Sequence, residues 1–432
     1  MSFCYGFSKR KIIQFGIHIV LAYSLIKIPN QIKGVISYSI IVVTRVRIFI
    51  STGFVLTVIL SAPSSVFSAD TVRIASIFAF SGVAASANEP SYVGVRYGVA
   101  EINKRGGILG KPIELVEFDT RSTPIGSKIA ADQAVKANVV AIIGASWSSQ
   151  SLAIAKIAQS AGIPMISPDS TNERVTKVGD YIFRVCYTDP FQGHVMAKFA
   201  ISDLKALTAS ILIDAASDYS TGLADTFEKS FTSFGGKIDT KIYYKRTQDN
   251  FRDEFAMLRQ AGSDVLFLPG HDESAKILLK AAHSGVKSIP IGCDGWSTHN
   301  FFKLGGNRVK HGYYSAHWAE GVESQRSQEF VESFKIEGQV LSTEALGYDA
   351  VLLFADAAER AMSLQPEDLK KSLKKTTDFQ GVTGGISFND FGDPIKTTVI
   401  MHIENGIAKY LKSITPAEKQ VSENGNNDGV KK

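Results

Sequence analysis

From Thr71 onward, short apolar runs alternate with longer amphipathic stretches, and this alternation constrains the fold more than any other feature. A strand covered on both faces reads as a continuous apolar run, and joining such strands in parallel needs a crossover, usually a helix. Residues 72–77 read as a first strand. Residues 93–103 then place Val95, Val99 and Ile102 at helical spacing, and Gly106-Gly107 supplies a left-handed stop. Residues 113–118 read as strand two, 128–137 as a helix, 139–143 as strand three, 152–160 as a helix and 164–166 as strand four. The unit recurs after Asp189, with strands over 209–213, 237–244, 265–269 and 289–292 and helices beginning near Gly222, Arg252, Glu273 and Gln325. Residues 343–362 are strongly helical, 386–411 read as antiparallel strands turning at 389–393 and at Asn405-Gly406, and 413–432 as a polar, disordered tail. The expectation is α/β, with two Rossmann-like lobes built on parallel central sheets.

A chain of 432 residues with 44% hydrophobic content can bury two cores. Its formal charge of +5 misleads, because residues 1–69 hold seven basic residues and no acidic ones. Removing those seven from the 47 basic residues leaves 40 against 42 acidic, so the folded part has no basic excess to attract nucleic acid.

Residues 1–69 read as a leader. Arg45 and Arg47 precede an apolar stretch over 48–60, and Ala62-Pro63-Ser64-Ser65-Val66-Phe67-Ser68-Ala69 is a small-residue cleavage zone. Cleavage there predicts a mature chain beginning at Ala69 or Asp70 and a soluble periplasmic protein, with no cysteine at the junction to carry a lipid. Residues 1–45 add a second apolar stretch, and no methionine separates Met1 from Met165, so translation is expected to start at a non-ATG codon near Val46. The rival reading of that stretch is a membrane anchor. Beyond the leader only Cys186 and Cys293 remain, read as two separate buried thiols, with a disulfide stapling two distant segments as the alternative.

Enzyme signatures fail in turn. Gly106-Gly107-Ile108-Leu109-Gly110-Lys111 has the wrong spacing for a phosphate loop, and Pro112 stands where a hydroxyl should reach magnesium. The eight histidines are scattered, and Gly144-Ala145-Ser146-Trp147-Ser148 lacks the closing glycine of a nucleophile elbow. No cofactor and no metal site is expected. What remains are five polar clusters, each immediately after an expected strand: residues 146–150, 167–171, 218–220, 270–272 and 294–296. In open parallel sheets ligands bind at the carboxyl ends of strands, so this shared placement outweighs residue type. The first cluster opens a helix, whose free N–H groups and serine hydroxyls suit a carboxylate.

These residues carry a resemblance to the type I periplasmic solute-binding proteins, particularly their branched-chain amino-acid-binding branch. It runs from about residue 70 to 411. Its most specific pieces are Phe80-Ser81-Gly82, Ala100-Glu101-Ile102-Asn103 with the following glycine-rich turn, Gly162-Ile163-Pro164-Met165-Ile166-Ser167-Pro168, Tyr181-Ile182-Phe183-Arg184, Gly347-Tyr348-Asp349-Ala350 and Phe379-Gln380-Gly381-Val382-Thr383-Gly384. The resemblance implies a clamp whose chain crosses between lobes three times, placed near Thr188, Ala316 and Gly381, with the ligand in the interlobe cleft. Lobe 1 would then comprise 70–188 and 317–381, and lobe 2 would comprise 189–316 and 382–412.

It further implies that Ser148 or Ser149 holds a ligand carboxylate, that Thr171 and the Asp169 carbonyl hold an ammonium, that Asp294 completes the ammonium site, and that Tyr219 packs nearby. His271 and Trp296 are departures from the family pattern and extend the candidate pocket, as does Ser86 in the first loop, so the pocket is expected to be not simply aliphatic. The implied role is capture of an amino acid or related small carboxylate or amide for an inner-membrane ABC permease, by a monomer and without chemistry. The alternative role is a periplasmic sensor feeding a signalling receptor.

Overall fold

The computed structural model describes residues 71–334 and 339–416. The leader expected over residues 1–69 lies outside them. Two open sheets organise the chain, and their parallel strands follow the same order. In the first, β1 (Val72–Phe78), β2 (Ile113–Asp119), β3 (Ala141–Gly144), β4 (Met165–Ser167) and β5 (Ile182–Arg184) lie in the order β2-β1-β3-β4-β5, all parallel. In the second, β6 (Thr208–Asp214), β7 (Lys237–Tyr244), β8 (Val265–Phe267), β9 (Ile289–Gly292) and β10 (His311–Ala316) repeat it as β7-β6-β8-β9-β10. An antiparallel pair, β13 (Thr398–Glu404) and β14 (Ile407–Ile414), extends the β10 edge. Strand order reverses direction at β1/β3 and again at β6/β8, the points where crevices open at strand ends.

Both faces of each sheet are covered. On β1, Ile74 and Phe78 point into one core while Ala75 and Ile77 point into the other, which is why the strand is apolar on both faces, with only Arg73 and Ser76 interrupting it. The first core is closed by α1 (Ala85–Lys104), α9 (Gln325–Ser333), α10 (Ser342–Ala361) and α11 (Pro366–Lys374), and the second by α2 (Pro124–Lys136) and α3 (Ser148–Ala161). The second sheet is flanked by α4 (Asp189–Ser202) and α5 (Asp218–Ser233) on one face, and by α6 (Arg252–Ala261), α7 (Ser274–His283) and α8 (His299–Gly305) on the other. Helices α1 and α10 touch backbone to backbone: a Cβ on Gly94 would sit 2.0 Å from the Glu344 carbonyl oxygen, and one on Gly347 would sit 2.0 Å from that of Ser91.

Two crossings of the chain lie between β5 and α4 around Thr188 and just past Ala316 at the end of β10. The third does not fall near Gly381. The hairpin β11 (Phe379–Gly381) and β12 (Gly384–Ile386) is still packed into lobe 1, where Val382 and Ile386 are core residues, and the second sheet resumes only at Thr398. The crossing therefore lies between Ile386 and Thr398. Asp393 on this segment pairs with Arg184 at 2.8 Å, and Lys396 donates to the Val185 carbonyl at 3.0 Å. The tail also starts later than expected, since Ser413 and Ile414 complete β14 opposite Val399 and Thr398. Residues 417–432 lie outside the described residues. The helix expected near Gly222 begins at Asp218 because the Ser217 hydroxyl caps it, accepting from Ser220 N at 3.2 Å. Cys186 and Cys293 are free and buried.

Candidate functional site

Segments that follow β1, β3 and β4 in lobe 1 and β6, β8 and β9 in lobe 2 line one small cavity: Ala87, Ser146, Trp147, Ser148 and Asp169 face Tyr219, His271, Asp294 and Gly295. Its position is fixed by the strand ends. Gly144, last in β3, has φ +134°, and a Cβ there would lie 2.1 Å from the Ile77 carbonyl oxygen, so only glycine lets the chain turn here. Ser151 then locks the turn, its hydroxyl 3.0 Å from both the N and the O of Ala145. Ser148, the first residue of α3, presents its hydroxyl at the positive end of that helix, where an anion is stabilised.

Opposite, Asp294 is held by three side chains. Gln192 Nε2 donates to Oδ1 at 2.5 Å, the Tyr219 hydroxyl donates to it at 2.9 Å, and His317 Nε2 lies 3.2 Å from Oδ2. Burial lowers the pKa of His317, so this contact is a hydrogen bond between a neutral imidazole and a carboxylate. Burial, and after it the charge of Asp294, raises Asp169 to about 7. His271 is held well below its ordinary value by burial and by the Arg246 guanidinium, and is neutral.

Trp147 is the chief bridge between the lobes. Its ring stacks on His271 with centroids 4.3 Å apart and planes 10° from parallel, His271 stacks on Tyr219 at 4.8 Å, and Arg246 lies 4.5 Å from the Trp147 centroid. Further interlobe contacts join the rim: Asn172 Nδ2 to the Asp218 carbonyl at 2.7 Å, Arg174 to the Asp218 carboxylate at 3.0 Å, and His299 Nε2 to Glu344 at 2.6 Å.

Of the residues singled out from sequence, Ser148, Asp169, Tyr219, His271 and Asp294 come together around the cavity. Ser149 does not line it; its hydroxyl accepts from Asp218 N at 3.3 Å and ties the lobes together. Thr171 is buried beside Asp189, behind the wall. Ser86 reaches across to Asp272 at 3.5 Å. Trp296 is misplaced by the sequence reading: the short turn Asp294–Trp296 aims Asp294 at the cleft and returns the indole beneath Gly292 onto Phe301, 5.2 Å away in the lobe 2 core. Gln192 and His317 went unnoticed because neither belongs to a polar cluster after a strand, although His317 directly follows β10.

Comparisons with known proteins bear on the fold and the family. A family profile described as "Periplasmic binding protein" matches residues 71–407. A Leu/Ile/Val-binding protein homolog from Brucella abortus is 30% identical over 313 residues, covering 71% of this chain and 83% of that protein. The crystal structure of a leucine-binding protein from Thermotoga maritima superposes with a TM-score of 0.77 at 31% identity, covering 80% of this chain and 99% of that one. A branched-chain amino acid transporter substrate-binding protein from Streptococcus pneumoniae, solved with isoleucine, gives 0.76 at 29% identity, covering 80% of this chain and 100% of that one. Two lobes repeating one strand order, strand ends of both converging on one cavity, and a profile match spanning nearly all of the described chain lead to a single assignment: the chain belongs to the periplasmic binding protein family, whose members bind substrates and are not enzymes.

Proposed function

We propose that this chain captures an amino acid, or a related small carboxylate or amide, by closing its lobes, and delivers it to the membrane permease of an ABC importer as a periplasmic monomer. The observation that carries this reading is the pairing across one cavity of an anion seat, Ser148 at the start of α3, with a cation seat, Asp294 backed by Tyr219. These are the complementary groups that a zwitterion requires. Relatives whose names specify leucine or isoleucine support the same class. A ligand gripped by both lobes stabilises the closed arrangement in proportion to its differential affinity.

Thermal-shift screening of the chain from Ala69 against amino acids, amides, urea and aromatic acids tests the ligand class. A ligand at a hundred times its Kd adds about 2.7 kcal/mol of folded-state stability. A shift for one or more amino acids is expected, whereas shifts confined to compounds without an amine would refute it. Loss of uptake of that solute on deletion of the gene tests delivery; undiminished uptake by cells with no second binding protein for the solute would refute it.

A further inference from the structure

The sequence reading used only the backbone carbonyl of Asp169, yet the residue lines the cavity and its carboxyl is held in the wall. Oδ2 accepts from the Ser91 hydroxyl at 3.2 Å, and the Ser146 hydroxyl lies against the same carboxyl. Oδ1 is shut off from solvent, and the donors around the carboxyl are two serine hydroxyls and its own backbone N–H, none of them charged. Asp294 across the cavity already accepts from protein donors at Oδ1.

Positive charge to balance these two acids is missing from the walls, since no lysine or arginine lines the cavity. Arg246 is tied to Asp272 and Glu273, and Arg184 to Asp393 at 2.8 Å. His271 and His317 are neutral for the reasons given above. A third acid, Asp189, is buried close by beside Thr171, and burial, with the charge of Asp294 adding to it, raises its pKa to about 8. Among the described residues no group of three or more His, Cys, Asp or Glu side chains is arranged to hold a metal ion, so the acceptors suit organic nitrogen.

A zwitterion with an aliphatic side chain brings one positive and one negative charge, and leaves a buried carboxyl without a counter-charge. We propose that the Asp169 carboxyl is a second acceptor site in the cleft, selecting a solute that carries a cationic nitrogen on its side chain in addition to its α-ammonium. The chemical class is a basic amino acid. This rests on the amino-acid reading above and narrows it: the α-ammonium goes to Asp294 and Tyr219, the side-chain cation to Asp169.

The test is calorimetry with two pairs of near-isosteric probes, L-arginine against L-citrulline and L-lysine against L-norleucine, on the wild-type chain and on Asp169→Asn. The cationic member of each pair should bind at least tenfold more tightly to wild type, and Asp169→Asn should shrink that preference to within threefold by weakening the cationic members more than the neutral ones. Equal binding of both members by wild type would overturn the proposal, since the two acids would then share one ammonium; so would a preference that survives Asp169→Asn. If none of the four probes binds but a carboxylate without an amine, such as benzoate, does, it is the amino-acid reading that fails. Should Asp169→Asn not fold, Asp169→Ser replaces it, and a cationic preference that survives Asp169→Ser overturns the proposal in the same way.

Discussion

Replacing Trp147 with alanine should open the clamp. The indole is lobe 1's contribution to a column otherwise built from lobe 2 side chains, touching His271 at 4.3 Å and Arg246 at 4.5 Å. Offset ring stacking contributes about 0.5–1.5 kcal/mol beyond area burial, and a partly desolvated cation–π contact about 0.5–2 kcal/mol. Both contacts exist only when the lobes meet, so their loss of about 1–3 kcal/mol falls on the closed state and lowers the closed-to-open ratio by about 5- to 150-fold. Small-angle scattering of the ligand-free and saturated protein reads that ratio through the radius of gyration, and calorimetry reads its effect on apparent affinity. Trp147→Ala should be more expanded without ligand and bind more weakly, while Trp147→Phe, which keeps a ring in the slot, should lie between it and wild type. If Trp147→Ala matched wild type in both radius of gyration and affinity, the column would have no part in closure and the reasoning would be wrong.

Removing the acceptor of the cation seat, Asp294→Ala, should cost binding about 2–5 kcal/mol, because the ligand's ammonium is left buried and unpaired; a calorimetric loss under tenfold would exclude that role. Closure should also weaken with rising pH. His299 hydrogen-bonds Glu344 across the lobes, which raises its pKa above the ordinary 6.5, so the contact is fully made below 6.5 and is lost as pH climbs through the raised value. His299→Gln should flatten the pH dependence of the radius of gyration over that interval, and an unchanged profile would remove the contact from the account. Asp349 accepts from Val382 N at 2.7 Å, Thr383 N at 2.9 Å and the Thr383 hydroxyl at 2.6 Å, beside Lys396, so Asp349→Ala should destabilise the fold by about 3–5 kcal/mol in chemical denaturation. A loss under about 1 kcal/mol would show that these bonds are replaced by water.

Most of the fold was legible because parallel strands covered on both faces read as apolar runs whatever their neighbours, as β3 and β8 do. The cavity walls were legible for a topological reason: Ser148, Asp169, Tyr219, His271 and Asp294 all follow strand ends, and strand ends in both sheets open on the same side. What sequence spacing does not encode is the direction of a side chain within a tight turn. Asp294 and Trp296 are two residues apart on one turn and end on opposite sides of it. The groups that hold Asp294 were hidden similarly, since Gln192 projects from inside α4 and His317 from a crossover, neither of which carries a local signature. The third crossing was set too early because the β11–β12 hairpin looks like a departure from lobe 1, although Val382 and Ile386 keep it there.

The backbone contact between α1 and α10 bears on how such a chain matures. Tyr348 on α10 hydrogen-bonds Glu101 on α1 across 247 positions of sequence, so lobe 1 gathers the beginning of the folded chain with a helix that follows the whole of β6 to β10. Closing so long a loop comes before any reward from the contacts it brings together, which slows folding. An emerging chain therefore holds lobe 1 incomplete until α10 is made, and keeps its first five strands without their full cover of helices until then.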